Sequence, residues 1–254
     1  MTRRILALAW TGFLQLVRTR VYLNILVAGI GLVVAALAFD RLSAGEGGRV
    51  LFDVGAAFVS LVVAILAGTI AITAVTRDLE TKQAHLVLAR PIGRAEFVIA
   101  RFLTTALLVV VANLVLGLLL GGLLLATGGE HAGLAVGACA FGSFEGFILA
   151  AVATFFGVGS SSTMSAVFTT TIFILGRLTG EMQVLIDSDA FNGVTPLLRV
   201  VERVLPHLPA FDLTPFAHGE GNLADVPSAA LYGTAYTVAF LAAAALRFSR
   251  RDLM

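Results

Sequence analysis

Six long apolar runs, at residues 21–39, 54–75, 102–126, 134–158, 164–178 and 229–246, restrict this chain to one kind of solvent. A helix crossing the hydrocarbon of a bilayer needs about 20 apolar residues. In that medium every backbone polar group must be satisfied internally, which a helix does within its own segment. An average soluble domain is about 25% charged. This chain is 13% charged and 58% hydrophobic, too little polar surface to face water. The expected architecture is an all-α integral membrane protein, with a single transmembrane domain of six helices over residues 1–254. The fifth run is the shortest and is threonine-rich (Thr169, Thr170, Thr171), so its ends are the least defined. The first run is too long for a secretory leader, and no small-residue cleavage pattern follows Asp40. It reads as a retained helix.

Charge placement orients the spans. Six crossings put both termini on one side, together with twelve of the seventeen basic residues: Arg3, Arg4, Arg18, Arg20, Arg77, Lys82, Arg90, Arg94, Arg101, Arg247, Arg250 and Arg251. The opposite side receives five basic residues and eleven of the sixteen acids. Excess Lys and Arg mark the cytoplasmic side. The expectation is a multi-pass protein of the cell (plasma or inner) membrane with both termini cytoplasmic.

Several kinds of chemistry have no support in the sequence. Lys82 is the only lysine and follows Thr81, so no Gly-x-x-x-x-Gly-Lys-Ser/Thr phosphate loop exists. Neither His-Glu-x-x-His nor Gly-x-Ser-x-Gly occurs. The four histidines (His85, His131, His207, His218) are scattered over three loops, and the single cysteine, Cys139, lies inside the fourth run. An enzyme is not expected, nor a cofactor or a metal centre. The net charge of +1 gives no reason to expect nucleic acid.

One acid stands inside an apolar run. Glu145, in FGSFEGFILAA, would be costly at the bilayer centre, and intramembrane ionisable residues mark transport paths or proton relays. It is a candidate for the membrane path. A purely structural role is the other reading, as a helix–helix hydrogen bond to Asn113 or Thr104 on the third span. Arg177, near the outer end of the fifth run, reads as a snorkelling anchor. Three Gly-x-x-x-Gly pairs (Gly117/Gly121, Gly133/Gly137, Gly142/Gly146) allow close backbone approach between helices. No internal repeat and no broken helix of the kind found in secondary transporters is visible.

Residues 3–20 put Ile5, Leu6, Ala9, Trp10, Phe13, Leu16 and Val17 on one helical face and Arg4, Thr11, Gln15 and Arg18 on the other. That pattern suits a helix lying in the membrane surface against lipid; the plainer alternative is the start of the first span. Residues 179–228 form the one substantial outer segment. Thr195-Pro196 predicts a helix start, and the apolar stripe that follows ends near Pro206. An amphipathic helix beside the bilayer, or dipping partway in, fits better than a free loop.

The charged stretch 77–101, between the second and third runs, is the remaining feature. Residues 76–89 can form about three helical turns, with Asp78 and Glu80 near the start favouring the helix dipole. Arg90-Pro91 ends them, since a residue before proline avoids the α region. Gly93 permits a reversal before residues 94–101 enter the third span. Topology alone needs only charge, whereas this segment also has an ordered stop and an apolar stripe in Leu79, Leu86 and Val87. It reads as a docking element.

Arg77, Asp78, Glu80, Thr81, Leu86, Leu88, Pro91, Ile92 and Arg94 fall where permeases of the type-2 exporter class of ABC transporters carry an Arg-acidic-x-Glu segment, leucines and then Pro-Ile-Ser-Arg. The chain resembles those integral subunits along essentially its whole length, including the Arg-Arg-Asp-Leu tail. It departs at Gly93, where serine is usual, and at Ala100-Arg101, where Gly-Lys is common. The resemblance implies a coupling helix between spans two and three that docks on a separate ATP-binding subunit. Arg77, Asp78, Glu80, Leu86, Arg90, Pro91 and Arg94 would carry that coupling. It further implies two ATPase copies, a second permease copy (homodimer or related heterodimer), an interfacial N-terminal helix, and short outer re-entrant helices near residues 195–216. An external partner protein is also compatible with it. The expected function is ATP-driven export, or movement within the bilayer, of a substrate the sequence does not name. Two alternatives stay open: a secondary transporter using Glu145, and a non-transporting membrane scaffold for an external partner.

Overall fold

The structure, a computed structural model, describes residues 2–42, 48–80, 93–128, 132–187, 204–212, 214–218, 221–222 and 224–250. Every regular element among them is helical: α1 (Thr2–Val17), α2 (Arg20–Leu42), α3 (Arg49–Glu80), α4 (Arg94–Ala126), α5 (Ala132–Phe141), α6 (Ser143–Gly159), α7 (Ser162–Asp187), a 3₁₀ turn (Leu208–Phe211), the single-turn α8 (Thr214–Ala217) and α9 (Asp225–Ser249).

Five stretches among the described residues are long and apolar enough to cross a membrane: Arg20–Leu42, Arg49–Thr76, Ala95–Ala126, Ala132–Gly159 and Asp225–Ser249. The predicted fifth span falls within α7. That helix has 26 residues, but its serines and threonines and Arg177 leave it less apolar than the five. The predicted outer helix from Thr195 lies outside the described residues.

The long helices run side by side with a small-residue core. α3 and α6 are the most enclosed, and both lie against several neighbours, whereas α2 and α9 keep most of their surface outward. Exposed Val27, Val34, Leu118, Leu231, Val238 and Leu246 face outward from this bundle, as lipid-facing side chains do.

At the end that holds α1 and the last turn of α9, hereafter the terminal face, Val75, Phe97, Val98, Val158, Ala244 and Phe248 form a separate apolar cluster. Phe97 stacks on Phe248 with ring centroids 5.8 Å apart. α1 lies against the start of α4. Thr104 Oγ1 donates to Ala9 O across that contact at 3.1 Å, and a Cβ on Gly12 would stand 2.7 Å from the same hydroxyl. Leu6, Trp10 and Leu14 of α1 are exposed, so the apolar face divides: Ala9 and Leu16 are buried on the bundle, while Leu6 and Trp10 point outward. α1 is therefore a helix separate from α2, not a simple extension of the first span.

At the opposite end, the distal face, α4 and α5 form a hairpin turning at Gly128 (φ +78°). The backbone approach expected at Gly117/Gly121 is present. A Cβ on Gly117 would lie 2.7 Å from Cys139 Cβ, and one on Gly121 3.1 Å from Ala132 O. Gly146 likewise admits Val109 and Val63, but Gly133 and Gly137 face open space. Spacing alone did not distinguish the pairs.

Two expectations are corrected. The fourth span is broken after all: α5 ends at Phe141 and α6 begins at Ser143, with Gly142 between them. A Gly-Ser pair is a common site for such an interruption. Secondly, residues 77–80 do not begin a separate surface helix. They continue α3, which runs unbroken for 32 residues from Arg49 to Glu80.

Candidate functional site

The break in the fourth span places Glu145 in the first turn of α6, whose N-terminal N–H groups and dipole favour a carboxylate. Glu145 is buried, at 4% side-chain exposure. Its Oε2 accepts from Ser60 Oγ of α3 at 3.0 Å and from Arg177 Nη2 of α7 at 3.0 Å. Arg177 Nη2 also donates to the Ser60 hydroxyl. The Nη1 of Arg177 then reaches Asp212 Oδ2 at 3.6 Å, just beyond the 3₁₀ turn. One guanidinium thus joins a carboxylate on α6, a hydroxyl on α3 and a carboxylate on the distal segment. The other carboxylate oxygen, Glu145 Oε1, is buried with no hydrogen-bond partner among the described residues. Glu145 borders a cavity of about 30 Å³ shared with Ser60, Asn113, Gly142, Arg177 and Asp212, room for a water or two.

The partners differ from those expected. Asn113 Nδ2 donates to Ser143 Oγ at 3.0 Å, and Thr104 is spent on Ala9 O and Ala100 O. Neither holds Glu145. Arg177 is not a snorkelling anchor: it is turned inward because the only acid within an apolar run lies on the neighbouring helix. A charge left unpaired in the bilayer is costly enough to drive that choice. Asn113 instead steadies the break itself, from α4, by holding the first residue of α6.

The distal segment is seated by aromatic packing. Leu208 and Phe211 are fully buried. Phe211 stacks near-parallel on Phe144 at 6.2 Å and on Tyr232 at 6.4 Å. Gly176 of α7 makes room, since a Cβ there would meet Pro206 O at 2.9 Å. His207 N donates to Tyr232 Oη at 2.9 Å, and His207 Nδ1 lies 2.9 Å from Thr179 Oγ1. The segment after Pro206 therefore lies between α7 and α9, and this brings Asp212 to Arg177.

A second feature lies between α3 and α7. A cleft of about 390 Å³ is lined by apolar residues including Leu61, Ile65, Phe173 and Ile174, with hydroxyls from Thr69, Thr73, Thr169 and Thr170. Thr73 and Thr169 donate to carbonyls of their own helices, to Thr69 O and Ser165 O. They present lone pairs, not protons, to the cleft. Glu145 does not line it.

Of the expected coupling residues, Arg77, Asp78 and Glu80 form the last turn of α3, and Arg94 opens α4. Leu86, Arg90 and Pro91 lie outside the described residues. Gly93, the departure from serine, is the N-cap of α4 with φ −68° and ψ 149° and makes no side-chain cap. Glu96 supplies the other half, its Oε2 accepting from Gly93 N at 3.1 Å. The helix start survives the substitution because the acid three residues on reaches back.

Long apolar helices, a charge cluster centred on a buried acid and a hydroxyl-lined cleft define a multi-pass membrane protein. No curated protein matches the chain. The family model described as ABC-2 family transporter protein matches residues 6–253, and the chain belongs to that family. Its members are membrane components of transporters, and the described residues of this one have the helical framework expected of a permease subunit.

Proposed function

We propose that the chain is the permease subunit of an ATP-driven transporter, with ATP hydrolysed on a separate subunit and export or transbilayer movement as the outcome. The observation that carries this reading is the continuity of α3. One helix joins the charged segment at the terminal face to Ser60 in the buried cluster. Glu80 stands twenty positions beyond Ser60, about 30 Å along one helix. A push delivered at residues 77–94 by a docked ATPase travels along α3 to the cluster and along the α3–α7 cleft on the way. In this reading the terminal face is cytoplasmic and α7 is the fifth of six crossings. A second permease copy and two ATPase copies complete the assembly. The cleft is the substrate path, suited by its apolar walls and lone pairs to an amphiphile.

The test is co-purification with an ATPase and measurement of transport-coupled ATP hydrolysis after charge reversal at Glu80 and Arg94. Loss of coupling with assembly retained is the expected result. Unchanged assembly and unchanged coupling would overturn the docking role.

The break at Gly142 favours a second reading. Discontinuous helices near the midplane form the substrate and coupling-ion sites of secondary transporters. Transport by the isolated chain in proteoliposomes, driven by a pH gradient and abolished by Glu145→Gln, would select it.

A further inference from the structure

We infer that the distal face carries a binding pocket for a small organic ammonium ion, separate from the α3–α7 cleft. The pocket has a volume of about 410 Å³ and is bordered by Phe141, Phe216 and Tyr232 together with Asp212, Asp225 and His207. Cavities of about 300–1,000 Å³ with aromatic walls and a few convergent polar groups are the usual form of small-molecule sites.

The aromatic wall is fixed. Phe141 packs on Phe211 at 5.9 Å, Phe211 stacks on Tyr232, and the Tyr232 hydroxyl is held by the backbone N–H of His207. Phe216 is backed by Gly221, where a Cβ would stand 2.4 Å from the ring. These rings are held in place by the fold and are not free to collapse into the space they border.

The charge in the pocket is negative. Asp212 is shared with Arg177, which approaches it at 3.6 Å. Asp225, exposed in the first turn of α9, makes no ion pair among the described residues. Among the described residues of the wall His207 is the one titratable base, and its Nδ1 is engaged with Thr179. A bare metal ion is the wrong guest, because no group of three His, Cys, Asp or Glu among the described residues could hold one. Carboxylates set among aromatic faces are what an organic ammonium recognises, by charge and by cation–π attraction. Such a cation would contend with Arg177 for Asp212, so occupancy of the pocket reaches the buried cluster. The site does not depend on the proposed ATP coupling, and either can fail alone.

The experiment is calorimetric titration of the full chain in uncharged maltoside micelles with choline, and with its neutral isostere 3,3-dimethylbutan-1-ol. Saturable choline binding is expected, with the isostere at least about tenfold weaker, the scale of a desolvated cation–π contact. Asp225→Asn and Phe216→Ala should each weaken choline by several-fold to about tenfold while leaving the thermal unfolding profile in place, since both residues lie at the rim. Adding phosphatidylcholine to the micelles separates the two sources of this chemistry. Loss of choline binding identifies a lipid headgroup as the natural occupant, and unchanged affinity identifies a free amine. No saturable binding, equal binding of the isostere, or affinity unmoved by both variants would overturn the site.

Discussion

Arg177 and Glu145 stand on different helices, α7 and α6, with the guanidinium Nη2 3.0 Å from the carboxylate Oε2. This contact and the Asp212 contact beyond it tie the short fifth run to the fourth span and to the outer segment. Replacing one partner strands the other in a place that water scarcely reaches. Arg177→Met should therefore cost about 3–5 kcal/mol, whereas the double variant Arg177→Met/Glu145→Gln should recover most of it. Unfolding free energies of the four proteins in a double-mutant cycle measure this. Additive losses would show that the pair is not coupled.

A second prediction concerns the α4–α5 hairpin. Cys139 is buried at 5% exposure against Gly117. Gly117→Val places methyl groups where the cysteine Cβ now sits and must part the two helices. Labelling of Cys139 by a membrane-permeant maleimide should be slow in the natural chain and accelerate at least about tenfold in the variant. Gly133→Ala, which meets open space, should leave the rate unchanged.

How much of this could be read in advance differs by kind of feature. The apolar runs and the separate amphipathic helix α1 follow from local pattern, because hydropathy acts on the residues that carry it. Arg177 was misread for the opposite reason. Its direction is set by a residue 32 positions away, and a single helix pattern says nothing about which neighbour it faces. The signal was present all the same: one basic and one acidic residue inside apolar runs leave each other as the obvious partner. The break at Gly142 was hidden because glycine followed by serine occurs harmlessly in many helices. Here Asn113, on another helix, holds Ser143 and gives the pair its structural meaning. Ser60 and Asp212 carried no signal of their own.

At the terminal face, Arg247 of α9 caps α6. Its Nη2 donates to Gly159 O at 3.2 Å, and its guanidinium lies 5.2 Å from the Phe155 ring. A Cβ on Gly159 would fall 1.9 Å from that guanidinium. Gly159→Ala should expel the arginine, costing about 0.5–1 kcal/mol, the worth of a cation at a helix C-terminus. Arg247→Ala should cost the same, and the double variant no more than either. Thermal unfolding in a fixed detergent reads the comparison.

The α1–α4 contact rests on one buried hydroxyl. Thr104→Val keeps the shape and removes the bond to Ala9 O, a loss of about 1 kcal/mol. Hydrogen exchange should then quicken across α1 while protection in α3 and α6 stays as it was. Uniform exchange changes in all three helices would place the effect in global stability instead.

The single residue between α5 and α6 has one more consequence. A continuous helix twists and tilts as one body, so a movement at either end is felt at the other. The fourth span does not have that property, although α3 beside it does. α5 is clasped to α4 through Gly117 and Gly121, and α6 is packed along α3 and α9. Gly142 thus divides the fourth span into one half packed on α4 and another, carrying Glu145 in its first turn, packed on α3 and α9.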